Sequence, residues 1–84
     1  MRRGDGSWLV DGLAAAEELK VFLELGALPD EEGEDYQTVG GMVMAALGRV
    51  PAEGDRFAWE GFCFEVVDMD GLRVDKVLVV AEEP

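Results

Sequence analysis

Arg56-Phe57-Ala58-Trp59-Glu60-Gly61-Phe62-Cys63-Phe64-Glu65-Val66-Val67-Asp68-Met69-Asp70-Gly71-Leu72-Arg73-Val74-Asp75-Lys76-Val77-Leu78-Val79-Val80 holds three runs of aromatic and β-branched residues separated by two turn dipeptides. Such runs predict strands over 56–59, 62–69 and 72–80. Asp70-Gly71 is a strong two-residue hairpin signal and Glu60-Gly61 a weaker one. A loop at 70–71 sets Met69 opposite Leu72, Val67 opposite Val74, Glu65 opposite Lys76 and Phe64 opposite Val77. A loop at 60–61 sets Trp59 opposite Phe62, Phe57 opposite Phe64 and Arg56 opposite Glu65. Strand alternation then gathers Phe57, Trp59, Phe62, Phe64, Val66, Val77 and Val79 on one face. The other face carries the row Arg56–Glu65–Lys76, with Ala58, Cys63, Val67, Val74 and Leu78 around it. Burying the aromatic face calls for a second layer.

The upstream half supplies that layer. Ser7-Trp8-Leu9-Val10 reads as a first strand, closed by the turn signal Asp11-Gly12. From Leu13 to Leu25 the pattern is helical, with Ala16, Leu19, Phe22 and Leu23 on one face and Gly26 as the stop. Thr38 is an N-cap for a second helix. Val39, Met42, Val43, Ala46 and Leu47 form its buried stripe, and Gly48 and Pro51 end it. Gly40 and Gly41 in its first turn each cost about 1 kcal/mol relative to alanine, and they admit a close backbone approach. The expected architecture is α+β: a two-layer sandwich, mainly antiparallel, in the order β-α-α-β-β-β, with both helices on one face. Leu19, Phe22, Val43, Leu47, Phe57, Trp59 and Phe64 are expected to be buried together.

Composition narrows the function. The 84 residues make one domain, 1–84, apolar enough at 49% for a core but small enough to gain stability from a neighbour. Nineteen acidic against seven basic residues give a net charge of −12, which repels phosphate backbones and anionic lipid. No nucleic-acid partner is expected. No apolar run approaches the length of a membrane helix, and Met1-Arg2-Arg3-Gly4-Asp5-Gly6 is not a signal peptide, so no direct membrane insertion is expected of this segment. Absence of histidine removes the commonest general base, the Ser-His and Cys-His pairs and most zinc ligand sets. No catalytic residues are assigned.

Three polar features remain. Asp30, Glu31, Glu32, Glu34 and Asp35 lie in a six-residue loop. They are candidate ligands for a hard cation, but they do not follow the calcium-loop spacing, and a solvated connector is the better reading. Arg56, Glu65, Val67, Val74, Lys76 and Leu78 form a candidate interaction face, which a cross-strand ion ladder explains equally well. Cys63 is expected to be an inert, partly buried thiol, and Gly40-Gly41 matches no phosphate-loop pattern.

Several segments in order resemble the CorC/HlyC transporter-associated domain. They are Asp5-Gly6-Ser7-Trp8-Leu9-Val10-Asp11-Gly12, Asp35-Tyr36-Gln37-Thr38-Val39-Gly40-Gly41, Leu47-Gly48-Arg49-Val50-Pro51, Gly54-Asp55, Phe64-Glu65-Val66 and Gly71-Leu72-Arg73-Val74-Asp75-Lys76-Val77. Leu13-Ala14 departs from the threonine-proline helix start common in that family. The resemblance implies a non-catalytic module at the C-terminus of a longer membrane protein of the haemolysin-like or magnesium-cobalt efflux kind. There it would lie on the cytoplasmic side, beside transmembrane domains and a pair of CBS domains, and would modulate ion transport or self-associate. The family fold also resembles part of a flavin-binding domain, which implies flavin adenine dinucleotide (FAD) or an adenine nucleotide as an alternative ligand by fold analogy alone. With no glycine-rich pyrophosphate loop and a charge of −12, no cofactor is expected here.

Overall fold

The computed structural model describes residues 7–29 and 36–82. Its elements are β1 (Ser7–Asp11), α1 (Ala16–Phe22), α2 (Val39–Leu47), β2 (Arg56–Trp59), β3 (Phe62–Asp70) and β4 (Arg73–Ala81). The sheet is antiparallel throughout in the order β1-β4-β3-β2. Two layers form as the patterning requires. The expected acidic loop, Asp30 to Asp35, lies outside the described residues, as do 1–6.

The β2–β3 hairpin pairs in the expected register, Trp59 with Phe62 and Phe57 with Phe64. Glu60 and Gly61 both take left-handed backbone, φ 47° and 87°, which a two-residue type I′ loop demands. Glutamate is unusual there, and tertiary contacts explain it. Its carboxylate accepts from the backbone N–H groups of Gly26 (2.8 Å) and Ala27 (3.1 Å), while Trp59 Nε1 donates to Ala27 O at 2.9 Å. The hairpin tip thereby clasps the chain that leaves α1.

The β3–β4 hairpin differs from expectation by two residues. Asp70 pairs with Arg73, so Gly71-Leu72 is the loop rather than Asp70-Gly71. Gly71, at φ 63°, holds the first loop position, where a type II′ turn wants glycine. A shift of two preserves each residue's face, so Phe64 (opposite Val79) and Val66 (opposite Val77) still point to the core. Parity breaks further along. The ladder is irregular between Val66 and Asp68 and again between Asp68 and Met69, with Val67 extra on β3 and Asp75 extra on β4. These bulges turn Met69 and Val74 inward. Val74 is therefore 4% exposed and part of the core, which removes it from the expected interaction face.

Helix α1 is shorter than its periodicity suggests. Its buried stripe is Ala16, Leu19 and Leu23. Glu24 then takes φ 57°, with Glu24 N–H donating to Val21 O and Leu25 N–H to Lys20 O, the paired bonds of a Schellman stop. The helix ends here, before Gly26, because the left-handed residue aims Leu25 and Leu28 into the core. Phe22 is the exception to the expected core: at 62% exposure it lies at the helix edge, 5.9 Å from Trp8 in an edge-on contact. Leu47, Phe57 and Trp59 are half-buried against the core, whereas Leu19, Val43 and Phe64 lie within it.

Ala15 gives α1 no side-chain cap, as Leu13-Ala14 foreshadows. Backbone from the approach to α2 substitutes, since Ala16 N–H donates to Gln37 O at 2.9 Å. Thr38 caps α2 as expected, its hydroxyl accepting from Gly41 N at 3.1 Å, and Gly48 closes the helix at φ 73°. Thr38→Ala should cost about 0.5–2 kcal/mol, read as a lower urea midpoint at unchanged slope. An unshifted midpoint would show that the cap contributes nothing.

Candidate functional site

The helices cover one face of the sheet, and no other described element covers the second face, although Ser7 at its β1 corner is buried. Register places three rows across that face: Ala58–Cys63–Val80–Ser7, Arg56–Glu65–Leu78–Leu9, and Asp68–Lys76–Asp11. Arg56, Glu65, Val67, Lys76 and Leu78 of the expected interaction face are thus placed together without Val74. The expected ladder is broken. Glu65 faces Leu78 rather than Lys76, and no ion pair among the described residues joins Arg56 to Glu65. Lys76 lies instead between Asp11 (3.7 Å) and Asp75 (3.6 Å). Cys63 is half-buried and unbridged in the first row.

Acidic groups meet at the bulge. Asp68 is held above the usual carboxylate range by its hydrogen bond to Asp75, by partial desolvation and by the nearby Asp75 and Glu53 charges, with Lys76 opposing. No three acidic or cysteine side chains among the described residues come together closely enough to hold a metal ion.

Residues 49–55 form a second charged element. Asp55 Oδ2 accepts from Arg49 Nη1 at 2.6 Å and from Ala52 N at 2.8 Å. Val66 N–H donates to Asp55 O, tying this loop to β3. The Arg49 hydrogen bond, followed by that of Ala52, holds the Asp55 carboxyl below its ordinary value of 3.8. A depressed folded-state pKa contributes stability above the unfolded value, and that stability is lost as pH falls through the folded value. The stability gap between wild type and Asp55→Asn should therefore be widest at neutral pH and close below about pH 4. A gap that stays constant to pH 2 would contradict this assignment.

Two hollows flank the turn after β1. The smaller, about 170 Å³, lies at the start of α2 between Gly12, Thr38, Gly41 and Arg73. It cannot receive a pyrophosphate through the helix N-terminus. Val39, Gly40, Gly41 and Met42 already donate their N–H groups to Ala14 O, Gly12 O, Thr38 Oγ1 and Thr38 O. No N–H group at this helix start is therefore left to hold a pyrophosphate. The larger hollow, about 400 Å³, is a groove between the outer edge of β1 and α1. Val10, Ala14 and Leu19 line it with apolar surface, Phe22 stands at one side, and Asp11 and Glu18 supply its charge. Sequence reading missed this groove, because Phe22 reads as core and only the position of α1 brings it beside β1.

The family model for the transporter associated domain CorC_HlyC matches residues 1–83. A UPF0053 protein of Synechocystis is 47% identical over 94% of this chain and 18% of its own length. The polyamine export protein of Haemophilus influenzae is 35% identical over 92% of this chain and 17% of its own. The chain thus spans under a fifth of the length of these curated relatives. Among solved structures, the transporter associated domain of a Xylella fastidiosa hemolysin, in complex with Mg²⁺ and Mn²⁺, superposes with a TM-score of 0.81 at 40% identity. The match covers 99% of this chain and 96% of that one. The order of elements, the antiparallel sheet and the match over nearly every residue converge: the chain belongs to the CorC_HlyC family of transporter associated domains.

Proposed function

We propose that this chain is the non-catalytic accessory domain of a membrane protein that exports cations, and that it modulates transport from the cytoplasmic side. The observation that carries this reading is one of proportion. Relatives match nearly the whole chain with under a fifth of their own length, so the unit recurs as one part of a much longer protein. The sequence has no histidine, so it lacks the commonest general base. The cargo class is positively charged. Polyamine export by the H. influenzae relative supports organic cations as cargo alongside the magnesium and cobalt that the sequence resemblance implies. Transmembrane domains and a CBS pair of the same protein are the neighbours that the second sheet face would meet. Its mixture of half-buried Leu78 with exposed Arg56 and Val67 suits a contact made and broken during regulation.

Removal of this domain from the full-length protein should change the rate of cation efflux, or its dependence on internal cation, while the remaining protein still reaches the membrane. Efflux from cells or vesicles that is identical in rate and cation dependence would overturn the proposal.

A further inference from the structure

The groove between β1 and α1 has a defined chemical character. Among the described residues its lining combines apolar side chains with two carboxylates, Asp11 and Glu18, and includes no basic residue. Asp11 is held in place, its Oδ1 accepting from Leu13 N at 2.9 Å. Its other oxygen faces the Lys76 ammonium at 3.7 Å, yet the side chain stays 56% exposed, with room for a second cation. Glu18 is exposed and makes no ion pair with any described residue. Phe22, 62% exposed, offers ring surface beside them.

Three classes of occupant can be compared on these grounds. A second copy of the chain brings another −12 of charge to an acidic rim. A hydrated divalent ion keeps its own waters and can be held by one or two carboxylates, but it gains nothing from an apolar floor. A chain of methylene segments carrying ammonium groups uses every part of the groove. Ammonium groups pair with Glu18 and Asp11, methylenes cover Val10 and Leu19, and the Phe22 ring attracts a cation over its face. We infer that this groove binds a linear aliphatic oligoamine, and that it is where the domain senses an organic cation. The inference rests on the cation-exporter reading above and assigns its sensing site.

The isolated chain suffices for the test, because the solved Xylella chain is almost entirely this domain. Spermidine titrated into isotopically labelled protein should produce saturable amide shifts concentrated between Val10 and Phe22. Glu18→Gln lies on an exposed helix surface and should weaken binding about threefold, and Asp11→Asn combined with it about tenfold. Asparagine retains the oxygen that Leu13 N–H requires, so the turn survives. Magnesium chloride at matched ionic strength should not reproduce the shifts, since screening does not depend on methylene contact. Non-saturating shifts spread over the acidic surface, an equal pattern with magnesium, or unchanged affinity in the double variant would each overturn the site. Domain removal in the transport assay is a separate readout. Spermidine binding with unaltered efflux would sink the exporter reading alone, and altered efflux without spermidine binding would sink only this one.

Discussion

Phe64→Ala is expected to destabilise the domain by about 3–5 kcal/mol, enough to leave much of it unfolded at room temperature. Phe64 is 1% exposed and sits in the middle of the sheet, opposite Phe57 on β2 and Val79 on β4. Its ring stacks on Phe57 with centroids 5.1 Å apart and planes within 8°. Truncation removes the transfer free energy of a whole aromatic ring and opens a cavity that rigid strands on both sides cannot close. A domain of this size has only about 4–12 kcal/mol to lose. Thermal or urea unfolding should show a large fall in midpoint, and a shift of only a few degrees would mean that the core is centred elsewhere. Phe22→Ala is the control. That side chain is mostly in solvent and keeps one edge-on contact with Trp8, so its loss should cost about 0.5–1.5 kcal/mol.

Gly12→Ala should be nearly as damaging, although it only adds a methyl group. A Cβ built at Gly12 would lie 1.9 Å from Val74 O and 2.8 Å from Val74 C, both backbone atoms of β4. No rotamer can relieve such an overlap. Gly12 is also held from two sides, donating its N–H to Asp75 O at 2.8 Å and accepting from Gly40 N at 2.9 Å. Accommodating the methyl must pull the turn away from the β4 bulge and strain the seat of α2. The cost should be about 3 kcal/mol or more, from overpacking together with weakened buried hydrogen bonds. Gly61→Ala provides a contrast, because there the added Cβ meets open space and only the left-handed backbone, φ 87°, is penalised, at about 1–2 kcal/mol. Equal midpoints for Gly12→Ala and wild type would show that the close approach does not exist.

Gly40 and Gly12 show where sequence reading succeeds and where it stops. Gly40 reads as a site of close backbone approach, and its Cβ would meet Gly12 O at 3.1 Å and Val74 Cβ at 3.3 Å. What approaches it is invisible in the sequence, because Gly12 and the β4 bulge are brought there by chain reversals far apart in number. Asp11-Gly12 reads only as a turn, and nothing local marks it as the point where β1, α2 and β4 converge.

Local chemistry by itself determined the element order, the Thr38 cap, the Gly48 stop, the β2–β3 register and which face of Phe57, Phe64, Val66, Val77 and Val79 is buried. Each depends on a period of two or of about 3.6, or on a turn dipeptide, and those signals are carried by neighbouring residues. Tertiary structure alone decided the rest. The bulges at Val67 and Asp75 sent Val74 inward, where it packs beneath Gly40, and the two-residue shift of the β3–β4 turn left Lys76 facing Asp11 rather than Glu65. Glu24 ended α1 ahead of Gly26, since Leu25 and Leu28 had a core to enter and Glu60 carboxylate oxygens were waiting for the N–H groups of Gly26 and Ala27. Phe22 was left beside the β1 edge, and with it came the groove. Periodicity records how apolar residues repeat along an element; which of them stay uncovered depends on the partner surface, and that surface exists only once the chain has folded.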